Sequence, residues 1–199
     1  MRWILICTLS LLLIGCASRP PASADNICTI FKEKPGWYKD AKKAADKWNG
    51  NIYVPMSIMF QESGFQANAR PPMRYFLWVI PYGRASDAYG YPQALDSTWD
   101  VYLKDTGSRF RSRSDFGDAM DFIQWYMNQT TNRNRIPHSD VDRQYLNYHE
   151  GQGGYARGTY RSKTWLINVA KKVDSRAKRY AAQLQQCQGS LERKRRWLF

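Results

Sequence analysis

The chain is organised around one apolar segment, Val54-Pro55-Met56-Ser57-Ile58-Met59-Phe60-Gln61-Glu62-Ser63-Gly64-Phe65. Pro55 suits the first turn of a helix, where its missing N–H costs nothing, and Gly64 is a natural stop just past the end. Ile58 and Met59 precede Glu62 by four and three residues, so all three share one face of the helix. The segment therefore predicts a short buried helix that ends at a carboxylate.

Glu62 is the only acidic residue of this segment, and its surroundings decide what it can do. Burial and the negative end of the helix dipole both disfavour the ionised form of a carboxyl group. A carboxylic acid that stays protonated near neutral pH can donate a proton in catalysis. The alternative interpretation is a solvated glutamate at a frayed helix end.

The N-terminus predicts export and lipidation. Arg2 precedes an apolar run over residues 3–14 that is too short to span a bilayer, so residues 1–15 fit a signal peptide. The tetrapeptide ending at Cys16 (Leu-Ile-Gly-Cys) resembles a bacterial lipoprotein box, with lipid attached to the cysteine sulfur; the alternative is a chance cysteine. Ala17 gives no inner-membrane retention signal, so we expect an anchor at the periplasmic face of a Gram-negative outer membrane.

The remaining chain divides into three parts. Residues 16–27 are predicted to be the lipidated N-terminus and a flexible tether, residues 28–188 one folded domain, and residues 189–199 a basic tail. The tail ends in basic residues followed by Trp197, Leu198 and Phe199. It is interpreted either as disordered or as a contact with an anionic membrane.

Two cysteines, Cys28 and Cys187, lie near the two ends of the folded domain. An exported protein occupies a compartment that permits disulfides, and a bridge between them would stabilise the fold by roughly 4–5 kcal/mol in the entropic description. Two free thiols are the alternative. His138 and His149 do not stand at ligand spacing with each other or with the cysteines, so neither a metal site nor a cofactor is expected.

The formal net charge is +13. Export argues against nucleic acid as the partner, whereas peptidoglycan and membrane surfaces carry anionic groups that attract a basic protein. The alternative is that the charge mainly provides solubility.

Apolar spacing predicts a mainly α domain with helices over 37–49, 55–63 and 162–186. Two more helices are predicted: one begins with Asp96 as its N-cap, and the other begins at Ser114. Strand alternation is not evident. Residues 68–88 and 146–160 are predicted to be irregular, glycine- or proline-rich loops, and the first could contain one short extended piece. The first loop carries four aromatic residues, for sugar stacking or for core packing: Tyr75, Phe76, Trp78 and Tyr82.

Three segments resemble, in order, the motifs of the soluble-lytic-transglycosylase (SLT) catalytic domain, which has a lysozyme-like fold. They are Glu62-Ser63-Gly64-Phe65, Ala88-Tyr89-Gly90-Tyr91-Pro92-Gln93 and Tyr148-His149-Glu150-Gly151. The resemblance spans roughly residues 50–185. It implies a single lysozyme-like domain with irregular cleft loops, so that residues 28–188 become an SLT-like catalytic domain.

The resemblance also implies an activity. The family cleaves the β-1,4 bond between N-acetylmuramic acid (MurNAc) and N-acetylglucosamine (GlcNAc) in peptidoglycan glycan strands without adding water. Glu62 would protonate the leaving oxygen and then accept the proton of the muramoyl C6 hydroxyl, which attacks the anomeric carbon and forms a 1,6-anhydro sugar. One carboxylate serves both steps, whereas glycoside hydrolysis generally needs two.

Further roles follow from the same resemblance. Tyr91 and Gln93 would line the sugar cleft, with Gln93 binding sugar or holding the cleft backbone. Tyr148 would hydrogen-bond near Glu62 or a substrate acetamido group, or pack in the core. Ser63 would orient local groups or substrate, because no His–acid pair accompanies it. His149 would contact substrate, carry a proton or brace the loop.

Two departures from the family pattern leave alternatives open. His149 and Glu150 replace the usual Asn-Ala, and Glu150 would either brace the glycine-rich loop or act as a second cleft carboxylate. An aromatic insertion over residues 71–82 lengthens the interval between the first two motifs. A lysozyme-like muramidase and a non-catalytic peptidoglycan-binding lipoprotein therefore remain the alternative functions, and no protein partner is identified.

Overall fold

Over residues 19–196 the computed structural model contains seven α-helices, one 3-10 turn and one two-stranded sheet, with side chains described up to residue 193. The elements in chain order are α1 (Ile27–Glu33), α2 (Pro35–Lys47), α3 (Tyr53–Ser63), β1 (Met73–Phe76), β2 (Ile80–Arg84), α4 (Asp96–Thr106), α5 (Phe116–Asn134), α6 (Val141–Ala156), the 3-10 turn (Thr159–Ser162) and α7 (Thr164–Arg196). The mainly α single domain that the sequence predicts is confirmed.

Helix α3 lies in the middle of the domain, between α7 and α5. Its start is stabilised by the Asn51 side chain, which accepts a hydrogen bond from the Val54 N–H at 2.9 Å. Its end is closed by Gly64, which adopts φ 59° and donates its N–H to Phe60. Because the helix has almost no polar face, it is buried nearly all round, and only its last turn reaches an open surface.

Helix α7 is longer than the sequence predicted. It continues past residue 186 to Arg196, and Leu184, Cys187 and Leu191 extend its buried stripe beyond that point. Residues 189–196, predicted to be a tail, are therefore helical. The last three residues of that tail lie outside the described part of the chain, as do the predicted signal peptide and Cys16.

The start of the domain is joined to this long helix. Cys28 in α1 and Cys187 in α7 form a disulfide, with their sulfurs 2.08 Å apart. Gln183 of α7 also accepts from the Ile27 N–H at 3.1 Å and donates to the Asp25 carbonyl at 3.1 Å. The tether therefore packs along α7 just before α1 begins.

Within residues 19–196, no helix combines the length and apolar character needed to cross a bilayer.

Residues 73–84 form a β-hairpin, where the sequence predicted an irregular loop that could contain one short extended piece. Strands β1 and β2 are antiparallel, with Met73 opposite Arg84 and Phe76 opposite Ile80. Pro81 has no N–H to donate, and it is tolerated because a two-stranded sheet consists only of edge strands. The aromatic side chains of the hairpin are exposed, which excludes core packing, one of the two roles that the sequence left open for them.

Two predicted helix starts shift by one residue. Leu95 is the N-cap of α4, and Asp96 is its first residue, so Asp96 is not the cap that the sequence suggested. Its carboxylate instead accepts a hydrogen bond from the Arg113 guanidinium, which also donates to Ala94 at 2.8 Å. Helix α5 is capped by Asp115 rather than begun at Ser114.

The segment that enters α4 is held close to residue 113. The Tyr91 N–H donates to the Arg113 carbonyl at 2.9 Å, and Gly90 adopts φ 76° beside it. A Cβ at Gly90 would lie 2.2 Å from the same carbonyl oxygen, so only glycine fits here. This contact fixes the backbone that forms one wall of the cavity at the C-terminal end of α3.

Candidate active site

A cavity of about 460 Å³ opens at the C-terminal end of α3. Its walls come from α3, the segment before α4, α5 and the middle of α6. The residues that line it are Glu62, Pro71, Ser86, Ala88, Gln93, Ala94, Leu95, Thr98, Phe122, Tyr126, Tyr148, His149, Glu150 and Gly151. The three sequence motifs, far apart in the chain, each contribute to this cavity.

Glu62 lies in the last turn of α3 and faces the cavity. The residue is partly exposed there, while its carboxyl group is nearly enclosed by protein atoms, with Ile58 and Met59 fully buried on the same helix. Burial raises the pKa of Glu62 from 4.5 to about 7, and a hydrogen bond from Tyr145 partly opposes the rise. The carboxyl group can therefore be either protonated or ionised near neutral pH.

Tyr145 is a site residue that the motif comparison missed. It is buried in α6, and its side chain hydrogen-bonds the Glu62 carboxyl group. Burial, followed by the nearby Glu62, raises the pKa of Tyr145 above its ordinary value, so its hydroxyl remains a hydrogen-bond donor. Helical spacing could have identified it, since Tyr145 precedes Tyr148 by three residues on one helix face.

Tyr148 also lies beside Glu62, but its hydroxyl is engaged elsewhere. It donates a hydrogen bond to the Pro92 carbonyl at 2.6 Å, which joins α6 to the segment before α4. Burial, and then the charge of Glu62, raises its pKa well above the ordinary value. Tyr148 therefore lines the cavity and fixes its width at this point.

Helix α6 is kinked where it meets the cavity. The sequence predicted a loop over residues 146–160, but the helix runs to Ala156, with non-helical backbone only at Gly151 (φ 72°, ψ 153°). Asn134 of α5 spans the kink, because its amide donates to the Asn147 side chain at 2.6 Å and to the Gln152 carbonyl at 3.0 Å. The kink turns residues 148–151 towards the cavity.

The Glu150 side chain is held by three neighbours and is only 4% exposed. Lys163 donates to its two oxygens at 2.7 and 2.9 Å, Thr159 donates to one of them, and His149 Nδ1 lies 3.0 Å from the other. Burial alone would raise the pKa of Glu150, but the hydrogen bonds outweigh it and lower the pKa to about 2. The side chain is therefore a tightly bound carboxylate.

His149 and Gln93 line the cavity while bracing its walls. The His149 ring contacts Glu150 and lies edge-on to Trp165, with ring centroids 5.3 Å apart. The Gln93 amide nitrogen donates to the Ala69 and Gly90 carbonyls, each at 2.9 Å. Gln93 thus holds the cleft backbone, one of the two roles that the sequence left open.

The structure does not bring Ser63 or Tyr91 to the cavity, although both were predicted to bind substrate. The Ser63 hydroxyl is buried and donates to the Met59 carbonyl of its own helix at 3.1 Å. Tyr91 is 1% exposed and meets the rings of Trp37 and Phe116 edge-on. Both residues support the fold from within the core.

The hairpin aromatics also stay outside the cavity. Pro71, two residues before β1, and Ser86, two residues after β2, line the cavity, but the hairpin itself does not. Within the side chains described over residues 19–193, no three His, Cys, Asp or Glu groups lie together as metal ligands. The titratable side chains that line the cavity carry carboxyl, phenol and imidazole groups.

Comparison with known proteins gives one family. A family model described as "Transglycosylase SLT domain" matches residues 4–187 of the chain. No curated protein and no solved structure gives a significant match.

Proposed function

Because the chain belongs to the transglycosylase SLT domain family, we propose that it is a peptidoglycan lytic transglycosylase in which Glu62 is the single catalytic acid and base. The substrate bond is the β-1,4 linkage from MurNAc to GlcNAc, and the product carries a 1,6-anhydroMurNAc end. The observation that carries this proposal is the position of the Glu62 carboxyl group, which lines the cavity in an enclosed setting beside the Tyr145 hydroxyl, where burial raises its pKa to about 7.

In the first step the protonated Glu62 carboxyl gives its proton to the glycosidic oxygen. The bond between that oxygen and the muramoyl C1 breaks, and GlcNAc leaves with a free 4-hydroxyl group. The muramoyl C6 hydroxyl oxygen then bonds to C1, and its proton passes to the Glu62 carboxylate, which restores the starting acid. A pKa near 7 suits both halves of this cycle, because each protonation state is accessible at neutral pH.

The Tyr145 hydrogen bond supports the second half of the cycle. It favours the ionised form of Glu62, which exists only between the two proton transfers. Because the pKa of Tyr145 is raised, the phenol keeps its proton and remains a donor throughout. Tyr145 thus acts through Glu62 and is a positioning residue.

The state of Glu150 favours a transglycosylase over a muramidase. A hydrolase needs a second group that activates water or forms a covalent bond to the sugar. Among the described residues, Glu150 is the only other carboxylate in the cavity lining, and both of its oxygens already accept hydrogen bonds from the protein. With its pKa lowered to about 2, Glu150 is a weak base and a poor activator of water.

The function is tested by the release of soluble muropeptides from purified sacculi. Glu62→Gln keeps the size of the side chain but removes the transferable proton, so we expect at least about a hundredfold loss of release. Glu33→Gln, which changes a glutamate on α1 away from the cavity, is the matched control and should retain full activity. Unchanged release by Glu62→Gln would exclude Glu62 as the acid, and wild-type binding without release would favour the non-catalytic alternative.

We also propose that the chain is an outer-membrane lipoprotein anchored through Cys16, on the basis of the N-terminal sequence. Metabolic labelling with a radioactive fatty acid tests this. Label should enter the wild-type protein and be absent from Cys16→Ser. Equal labelling of both proteins would contradict the anchor.

A further inference from the structure

The end of the β-hairpin is an exposed apolar surface. We call residues 75–82 the hairpin tip. Seven of its side chains are large and more than half exposed, and they are Tyr75, Phe76, Leu77, Trp78, Val79, Ile80 and Tyr82. Trp78 reaches 94% exposure at the turn. Isolated exposed apolar residues are common in proteins, but a continuous group of this kind usually marks an interaction site.

The backbone of the hairpin tip holds two bulky residues in a strained turn. Leu77 and Trp78 adopt φ values of 48° and 67°, and the Val79 N–H donates to the Phe76 carbonyl at 3.2 Å. Turns with two residues of positive φ normally use Asn and Gly, because bulky side chains crowd the backbone there. Strain of this type concentrates at functional segments, and here it presents an indole ring to the surroundings.

Arginines surround the base of this apolar surface. Residues 70–86 include three arginines, Arg70, Arg74 and Arg84, and no acidic residue. Arg74 and Arg84 donate to the backbone carbonyls of Ala85 and Pro71. Within the described side chains none of the three is paired with a carboxylate within 4.0 Å. Each guanidinium therefore has donors left for an anionic partner.

We propose that the hairpin tip inserts into the head-group region of an anionic lipid bilayer. Tryptophan and tyrosine favour this region, aliphatic side chains enter the adjoining acyl layer, and arginines bind the phosphates. A glycan strand fits less well. The side chains of the hairpin tip offer only the Trp78 indole N–H and the hydroxyls of Tyr75 and Tyr82 as hydrogen-bonding groups, and the five others would leave sugar hydroxyls unpaired.

This contact would set the position of the cavity over the membrane. Pro71 and Ser86, at the two ends of the hairpin segment, both line the cavity. A hairpin tip seated in the bilayer therefore places the cavity a short, defined distance above the lipid surface. Membrane binding by the hairpin tip does not depend on the proposed catalytic activity.

The test uses the purified full chain on vesicles of phosphatidylglycerol and phosphatidylethanolamine with brominated acyl chains, which quench nearby tryptophans. We expect quenching of the wild type, and loss of most of that quenching in Trp78→Phe. Trp165→Phe, which removes another exposed tryptophan from α7, is the matched control and should be quenched like the wild type. Absence of quenching in the wild type, or equal quenching of Trp78→Phe and wild type, would overturn the proposal.

A second measurement separates the bilayer from other partners and does not depend on a lipid anchor. Full-length Cys16→Ser protein is titrated with anionic and with neutral vesicles. Leu77→Ser combined with Trp78→Ser should weaken binding to anionic vesicles about tenfold or more, and Arg74→Gln combined with Arg84→Gln should reduce the preference for anionic lipid. If the serine variant loses affinity for sacculi while its vesicle binding is unchanged, the hairpin tip is a glycan surface and the proposal is wrong.

Discussion

Glu62 owes its chemistry to its neighbours. The sequence placed Ile58 and Met59 on its helix face, and both are fully buried in the structure. Burial is the main cause of its raised pKa. The local pattern could therefore predict an apolar setting for this carboxyl group. The residues around Glu62 give no sign of Tyr145, whose hydroxyl comes from a helix more than 80 residues away in the chain and which only its spacing from Tyr148 could have indicated.

At this scale we expect the pH dependence of stability to reveal Glu62. Its pKa is raised by folding, so its stabilising contribution is present at pH 4.5 and below and is lost as pH rises through about 7. Glu62→Gln should therefore be more stable than the wild type at pH 8, by at most about 3 kcal/mol and less because the residue is partly exposed. The two proteins should unfold alike at pH 4.5, as measured by urea denaturation.

Glu150→Gln is the matched control for this experiment and should behave in the opposite way. The pKa of Glu150 is lowered by folding, so its contribution is present above pH 4.5 and is lost as pH falls towards 2. This variant should be less stable than the wild type at pH 7, with the difference shrinking in acid. A Glu62→Gln variant that is destabilised at pH 8 would contradict the buried setting of Glu62.

Tyr145→Phe should change the pH profile of turnover. Loss of the hydrogen bond removes a group that lowers the pKa of Glu62, so the decline of kcat/KM at high pH should move to higher pH. The value of kcat should fall, because the ionised Glu62 is less stabilised. Tyr148→Phe is the control, since the Tyr148 hydroxyl donates to Pro92, and it should leave the position of the decline unchanged. An unshifted profile for Tyr145→Phe would exclude the positioning role.

At the scale of elements, the sequence predicted most of the helices. It did not predict the structure of residues 68–88 and 146–160, which were expected to be loops. Helix α3 ends at Ser63 as predicted because Gly64 is a local stop signal, and it begins at Tyr53, two residues before the predicted start, with Pro55 still in its first turn. The glycine-rich segment became part of α6 because Asn134 reaches from α5 to both sides of the kink, a contact that no local pattern shows. The hairpin was missed because its turn uses Leu77 and Trp78 instead of the usual turn residues.

The kink in α6 gives a test at the same scale. Gly151 adopts a backbone conformation that other residues rarely enter, so Gly151→Ala should destabilise the fold by about 1–3 kcal/mol and lower turnover. Gly153→Ala lies two residues further along the same helix and would meet only the flexible end of Arg157, so it should be neutral or slightly stabilising. Thermal unfolding measures both variants, and equal stability of the two would mean that the kink is not strained.

At the scale of the whole molecule, a disulfide and a cavity bring distant parts of the chain together. The disulfide between α1 and α7 joins residues 159 positions apart, a pairing that the sequence offered as one of two alternatives. The sequence also predicted a cleft built from three motifs, and all three reach one cavity. Ser63 and Tyr91 were assigned to substrate because motif membership does not reveal which side chains of a motif face inward.

The central claim is that one carboxyl group cleaves glycan strands without water. Mass spectrometry of the fragments that the purified protein releases from sacculi tests it most directly. We expect muropeptides with 1,6-anhydroMurNAc ends, about 18 Da lighter than the hydrolysed forms because no water is added. Fragments with reducing MurNAc ends would contradict the claim and identify the protein as a hydrolase.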